Sequence, residues 1–140
     1  MQFSNKKKLS EIISISKGKK HNLSIENNLN SIRYIQIDDL RNDNNLKFTN
    51  DLKGVKASNK DLIIAWDGAN AGTVGYGLSG LIGSTLARLS FDTNKIEPAY
   101  IGRFVQSKFR SIRDNCTGAT IPHVSKQYLH SLEIPLPPLE

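Results

Sequence analysis

The sequence predicts a single compact α+β domain, with a small, mostly antiparallel or mixed β-sheet packed by one longer helix and one or two short helices. Its 140 residues are enough for one domain that buries its own core. Short apolar runs separated by turn residues fill the first 91 residues, which is typical of strands. After Pro98 the apolar residues change to helical spacing.

The first half of the chain supplies most of the predicted strands. Residues 9–15 fit either a strand or a helical turn, and residues 17–20 read as a loop rich in lysine and glycine. Residues 32–37 predict a strand that ends at Asp38 and Asp39. Further strands are expected at residues 46–48, 62–66, 73–77 and 84–91, with a loop at residues 41–45.

Residues 67–72 predict a tight turn between two buried strands. Glycine is the residue that adopts positive φ without strain, and we expect this role for Gly68, Gly72 and Gly75. A nucleotide-binding phosphate loop would end in Gly-Lys-Ser or Gly-Lys-Thr, whereas Thr73 and Val74 follow Gly72 here. The pattern therefore favours a structural turn, from which Asn70 and Thr73 can still contact a ligand.

Helices are expected in the last third of the chain. Apolar residues at 101, 104, 105, 109 and 112 lie on one side of a helical wheel, and residues 103, 106, 110 and 113 form a mainly basic opposite side. Pro98 suits the first turn of this helix, and Gly118 is expected to stop it. Residues 126–132 predict a short helix capped by Ser125. Core positions are expected for the aromatic residues Trp66, Phe104, Phe109 and Tyr128.

The net charge of +6 is unevenly distributed. Residues 1–60 hold twelve Lys and Arg against six Asp and Glu, and residues 61–100 hold two against four. Residues 101–140 hold five against three. Two basic regions around an apolar centre suit a polyanionic partner, although a solvated basic surface would give the same counts.

The residues give little support for catalysis, metal binding or membrane insertion. Cys116 is the only cysteine, and the histidines at 21, 123 and 130 do not have the spacing of metal ligands. We therefore predict no catalytic residue, no metal and no cofactor. An adenine methyltransferase would need an Asn/Asp-Pro-Pro-aromatic motif, whereas the only Pro-Pro follows Leu136. No apolar run reaches the ~18–20 residues that span a bilayer, and a cytoplasmic location is expected.

Three segments in order along the chain resemble the specificity subunits of type I restriction–modification systems. They are residues 61–75 (DLIIAWDGANAGTVG), residues 117–125 (TGATIPHVS) after a helix, and residues 134–140 (IPLPPLE). The resemblance implies a non-catalytic domain that reads one half of a bipartite site in double-stranded DNA. It also implies partnership with methyltransferase subunits, through them with the restriction subunit, and with a second recognition domain or half-subunit. On this basis we expect residues 1–133 to form the target-recognition domain, and residues 134–140 to begin the linker into a spacer helix that this chain does not contain.

Candidate DNA contacts follow from side-chain chemistry. Lys and Arg neutralise phosphates, Arg suits guanine, Asn and Gln suit adenine, and Thr hydroxyls suit phosphates. The candidates are Lys17, Lys19, Lys20, Arg33, Arg41, Asn44, Lys53, Lys56, Asn70, Thr73, Gln106, Arg110, Arg113, Thr117, Thr120 and Lys126, with Asn42 and Asn45 also available. We expect the positive loops and the outward side of the long helix to form one concave surface. Two alternatives are a small nuclease or methyltransferase fragment, and a protein-interaction module of a restriction complex.

Overall fold

The computed structural model describes residues 5–24 and 29–136. Its strands are β1 (Asn5–Lys8), β2 (Ser14–Lys17), β3 (Ile32–Ile35), β4 (Phe48–Thr49), β5 (Lys56–Ala57), β6 (Leu62–Ala65), β7 (Val74–Tyr76), β8 (Gly80–Ile82), β9 (Leu86–Ser90) and β10 (Glu133–Leu136). Its helices are α1 (Pro98–Ser107), α2 (Phe109–Asp114) and α3 (Lys126–Ser131), with 3-10 turns at Leu9–Glu11 and Ile37–Leu40. These elements confirm the predicted α+β class.

The described strands form two four-stranded sheets and a two-stranded ribbon, where we expected one small sheet. Sheet I has the order β2-β9-β6-β7 and is antiparallel throughout. Sheet II has the order β4-β3-β8-β5, in which β3 and β8 run parallel. The ribbon pairs β1 with β10. Sequence analysis missed β5 and β8 because two or three residues are too short for a period to be recognised.

Strand β6 lies in the middle of the domain and is buried on both faces. Leu62 and Ile64 pack into the core that includes Ile101 and Val105 of α1. Ile63 and Ala65 point the other way, into the core that sheet II shares. Since alternate residues of a strand face opposite sides, burial on both faces accounts for the uninterrupted apolar run.

The predicted long helix is interrupted at Lys108. Helix α1 starts with Pro98 in its first turn, as predicted, but ends at Ser107, and α2 continues to Asp114. The helical stop expected at Gly118 is therefore wrong, and Gly118 instead adopts φ +104° in the following loop. Phe109 is 42% exposed rather than in the core, whereas Ile112 is buried.

Two other local expectations need correction. The strand at residues 32–37 ends at Ile35, because the Asp39 carboxylate accepts a hydrogen bond from Gln36 N (2.8 Å) and a 3-10 turn begins. Gly75 lies within β7, where positive φ is not needed, whereas Gly68 and Gly72 adopt φ of +101° and +100° as expected.

The end of the described chain is part of the fold. Ser125 caps α3 as predicted, its side chain accepting a hydrogen bond from Tyr128 N (3.1 Å). The chain is extended in β10 through Leu136, and Ile134 in this strand is fully buried. Residues 137–140 of the predicted linker lie outside the described residues, so its domain boundary stays a prediction.

Candidate nucleic-acid interface

Residues 67–73, here called the central turn, connect β6 to β7 at one end of sheet I. Gly72 N donates to Ala65 O (2.8 Å), and Ala71 N donates to Gly68 O (3.1 Å). The positive φ of Gly68 and Gly72 makes this tight path available at low strain. Its backbone is thereby fixed, which lets side chains from other elements dock against it.

Helix α2 holds one side of the central turn. The Arg113 guanidinium donates from Nη1 to Ala69 O (2.6 Å) and to Ala71 O (3.2 Å). The Phe109 ring lies beside Gly72, where a Cβ atom would come within 3.4 Å of Cδ1. Phe109 and Arg113, four residues apart on α2, therefore both pack against the central turn. Arg113 acts as a positioning residue for that turn.

The loop at residues 41–45 reaches the central turn from sheet II. Arg41 Nη2 donates to Asn70 Oδ1 at 2.5 Å. Asn42 Oδ1 accepts a hydrogen bond from Asn44 N (3.0 Å), which bends this loop locally. A guanidinium and carboxamides, the groups that read base edges, are thus brought together on an exposed surface.

A cleft of about 270 Å³ adjoins these groups. It is lined by Asp39, Leu40, Arg41, Asn42, Asp43, Val74, Gly75, Tyr76, Leu78 and Gln106. Gln106 of α1 is exposed and donates from Nε2 to Val74 O (3.2 Å), which links the helix to the start of β7. The cleft therefore carries Arg41, Asn42 and Gln106 on its walls, with Asn70 hydrogen-bonded to Arg41.

Asp67 is the junction between the central turn and two other segments. Its carboxylate accepts from Lys17 Nζ at the end of β2 and lies 2.5 Å from His123 Nδ1. Partial burial alone would raise the pKa of Asp67, but the hydrogen bonds from Lys17 and His123 outweigh it and hold that pKa below its ordinary value. The negative charge on this surface is therefore compensated locally.

The loop at residues 117–123 is attached to the central turn by backbone hydrogen bonds. Gly68 N donates to Pro122 O (2.9 Å), and Thr117 and His123 exchange hydrogen bonds of 2.9 and 2.7 Å. Thr117 and Thr120 are both exposed on this loop. Nothing in the sequence spacing of His123 indicated Asp67 as its partner.

A buried ion network supports the wall of the cleft. The Asp39 side chain is completely buried and accepts from Arg33 Nη2 (3.1 Å) and Lys47 Nζ (3.0 Å). Arg33 also pairs with Asp43 (2.8 Å). Burial would lower the pKa of Arg33 and of Lys47, but their carboxylate partners outweigh it and raise both values. These contacts favour a structural role for Arg33, which sequence analysis had placed among the base readers.

A second basic group lies where sheet II meets the loop after β2. His21 Nδ1 is 2.9 Å from Asp51 Oδ2, and the His21 ring packs on Gly54. This contact brings the exposed Lys19 and Lys20 near Lys53. Lys56 has an exposed side chain on β5, where its backbone oxygen accepts from Arg88.

The structure thus brings most of the predicted residues together and leaves others apart. Contacts of the central turn, its neighbouring loops or the cleft involve Lys17, Arg41, Asn42, Asn44, Asn70, Thr73, Gln106, Arg113 and Thr117. Thr120 is exposed in the loop at residues 117–123. Arg110 is exposed on α2, and Lys126 starts α3 two residues after Val124, which is bonded to Trp66 O (2.8 Å). Lys19, Lys20, Lys53 and Lys56 belong to the separate basic group. Within residues 5–24 and 29–136, no cluster of metal-ligating side chains is found, and no helix is long and apolar enough to cross a membrane.

Comparison with known proteins identifies the family. The model of the type I restriction modification DNA specificity domain matches residues 3–140, so the chain belongs to that family. This membership confirms the resemblance seen in the sequence and the prediction of a DNA-specificity component rather than a catalytic one. The chain is 30% identical over 137 residues to the type I restriction enzyme MjaVIII specificity subunit of Methanocaldococcus jannaschii, covering 95% of this chain and 32% of the relative.

Solved structures share the fold at lower identity. The S subunit of a type I restriction-modification system from M. genitalium aligns with a TM-score of 0.68 and 15% identity, covering 92% of this chain and 33% of that one. The HsdS subunit from Thermoanaerobacter tengcongensis aligns with a TM-score of 0.71 and 20% identity, covering 96% of this chain and 33% of that one. A chain from a structure concerning complex assembly and conformational transition of the type I R-M system aligns with a TM-score of 0.75 and 20% identity, covering 96% of this chain and 34% of that one. The chain therefore spans about a third of the length of each relative.

Proposed function

We propose that this domain reads a short base sequence in the major groove of double-stranded DNA, as one half of a bipartite site. The observation that carries the proposal is the meeting of Arg41 and Asn70 at an exposed cleft that Asn42 also lines. An Arg held by a neighbouring carboxamide is already oriented, so less side-chain entropy is lost when it binds a base. Family membership supports the same function.

We assign different DNA contacts to the residues at the cleft and to the separate basic group, because their side chains differ in chemistry. Arg41, Asn42 and Asn70 contact base edges, since guanidinium and carboxamide groups form bidentate pairs with guanine and adenine. Lys19, Lys20 and Lys53 contact phosphates, which adds affinity without sequence information. Lys17 and Arg113 position the central turn through Asp67 and the turn carbonyls.

The domain acts within a larger assembly in this proposal. It directs methyltransferase subunits, and through them a restriction subunit, to the sequence it reads, with a second recognition domain or half-subunit reading the other half. The chemistry on DNA is performed by those partners. This work takes place in the cytoplasm, where prokaryotic chromosomal DNA lies.

Selection from a random pool of DNA duplexes tests the proposal. The chain is expected to enrich a short common sequence, and Arg41→Ala or Asn70→Ala to relax the preference at one or two positions, at a cost of about 1–3 kcal/mol each. Lys60→Ala is the matched control, because residue 60 is exposed before β6 and thus at the far end of that strand from the central turn. No enrichment, or equal losses for all three variants, would refute the proposal.

A further inference from the structure

Phe109 is an exposed aromatic side chain that the fold does not need for its core. It is 42% exposed, although the sequence pattern places it on the apolar side of a helix. Ile101, Val105 and Ile112 fill the core on that side, and Phe109 lies at its margin. Exposure of a single ring does not by itself indicate a binding site, so what matters is where Phe109 lies relative to the central turn.

The ring is held in place on its inner side. A Cβ atom at Gly72 would lie 3.4 Å from Phe109 Cδ1 and 3.5 Å from Cε1. Arg113, one turn further along α2, packs on the same glycine with Cγ at 3.5 Å. A ring anchored in this way presents its outer edge to a ligand and is not free to insert between stacked bases.

The charges around Phe109 favour a nucleic acid over a protein surface as its partner. Arg110 follows it as an exposed residue of α2, and Lys108 precedes it, with Nζ 5.5 Å from the centroid of the Phe104 ring. The buried centre of a protein interface is depleted in charge, whereas cations beside an apolar group suit a DNA groove lined by phosphates.

The position of Phe109 relative to the proposed base readers is fixed by the central turn. Asn70 contacts Arg41, and Gly72, two residues later, contacts Phe109. Two residues span at most about 7 Å, and base pairs are stacked about 3.4 Å apart along each strand. With the reach of the side chains added, we infer that the ring lies within a few base pairs of the bases that Arg41 and Asn70 are proposed to contact.

We propose that the exposed edge of Phe109 contacts the C5-methyl group of a thymine in the major groove, within a few base pairs of the position that Arg41 and Asn70 are proposed to read. The C5-methyl group is the apolar feature that the major groove offers, and apolar side chains recognise it there. This inference rests on the proposed function and adds Phe109 to it as a specificity-determining residue.

The test replaces each thymine of the selected site in turn by uracil, which lacks only that methyl group. Binding of the unmodified chain is expected to weaken about fourfold at one position, the value of one buried methyl contact. In the Phe109→Ala variant, replacing that thymine by uracil is expected to leave the affinity unchanged. The effect of uracil at every other position is expected to be the same as in the unmodified chain. Phe109→Leu, which stays apolar, is expected to retain part of the sensitivity. Leu52→Ala is the matched control, since Leu52 is 94% exposed and lies between β4 and β5.

Each other outcome is decisive. A selected site without thymine, or a uracil profile that is identical in the unmodified chain and in folded Phe109→Ala, overturns the inference and leaves the proposed function intact. If Phe109→Ala instead weakens binding to the methyltransferase subunit with an unchanged uracil profile, the ring contacts protein and the inference is wrong. Failure to select any sequence overturns both proposals. Because the uracil series on the unmodified chain needs no variant, the absence of any sensitive thymine there overturns the inference even if Phe109→Ala does not fold.

Discussion

At the scale of single residues, two aspartates hold the candidate interface together in different ways. Asp67 is partly exposed and joins Lys17 and His123 to the central turn. Asp39 is fully buried and joins Arg33 and Lys47 behind the cleft. An ion pair at the surface contributes little to the free energy of unfolding. Removing one partner of a buried ion pair destabilises the protein much more, because the remaining charge stays buried without a partner.

Asp67→Asn is expected to make stability less dependent on pH. Since the pKa of Asp67 is lowered in the folded chain, its stabilising effect is complete above the unfolded value of about 3.9 and is lost as the pH falls through the folded value. We expect the variant to be less stable at neutral pH by up to about 1 kcal/mol. The difference should shrink at pH values below about 3.9. Urea denaturation at both pH values measures it, and an equal difference at both would contradict the assignment.

Asp39→Ala is expected to cost about 3 kcal/mol of unfolding free energy, because it leaves Arg33 and Lys47 without a buried acceptor. Asp43→Ala is the matched control, since Asp43 pairs with the same Arg33 but its side chain is 69% exposed. The control should lose less than about 1 kcal/mol. Chemical denaturation compares the two. Similar losses would show that burial of Asp39 is not what stabilises this segment.

At the scale of elements, α1 lies unusually close to sheet I. The contact is made at Gly102, where a Cβ atom would come within 2.8 Å of Tyr76 Cδ1 and 3.2 Å of Leu62 Cδ2. Tyr76 also lines the cleft. The spacing between helix and sheet therefore sets the width of the candidate site.

Gly102→Ala tests this close contact. Alanine in a helix gains about 1 kcal/mol over glycine, but overpacking a core costs about 1–3 kcal/mol. We expect the overpacking to prevail, with a net loss of stability and weaker DNA binding as Tyr76 is displaced. Thermal unfolding and fluorescence anisotropy measure the two effects. Arg103→Ala, exposed on the same helix, should change stability by less than about 0.5 kcal/mol, and a stabilised Gly102→Ala would refute the argument.

At the scale of the whole molecule, basic side chains from distant parts of the chain lie in two regions, the central turn with its cleft and the separate basic group. The loop after β2 contributes Lys19 and Lys20, and it leaves sheet I at the same end as the central turn because β2 and β6 run in the same direction. Strand β9, between them, runs the opposite way. The sheet topology therefore places Lys19 and Lys20 at the same end of sheet I as the central turn.

Salt dependence tests whether these lysines contact phosphates. With about five phosphate contacts, the logarithm of the affinity should fall with the logarithm of salt concentration with a slope near −4 to −5. Replacing both Lys19 and Lys20 by Gln should reduce the magnitude of that slope by about 2 and leave the selected sequence unchanged. Anisotropy titrations over a range of salt concentrations measure the slope. An unchanged slope would remove these two lysines from the interface.

Local patterns were sufficient for most elements but not for the candidate site. The buried run of β6, the glycine turn after it and the Ser125 cap all depend on neighbouring residues, and each was predicted. The helix break at Lys108 was missed because the apolar period continues through it in the sequence. The pairing of Asp67 with His123 was missed because 56 residues separate them.

The sequence by itself determined the α+β class and the family, and it supplied a list of candidate DNA contacts, because propensity, period and side-chain chemistry are local properties. Tertiary structure alone decided which of these side chains form contacts within the protein and which are exposed at the candidate interface. Arg33 and Arg113 hold parts of the protein, Arg41 and Asn70 meet at the cleft, and Phe109 faces outward. The reason is that a cation's partner is set by how strands and helices pack, and packing joins residues that are far apart in the chain.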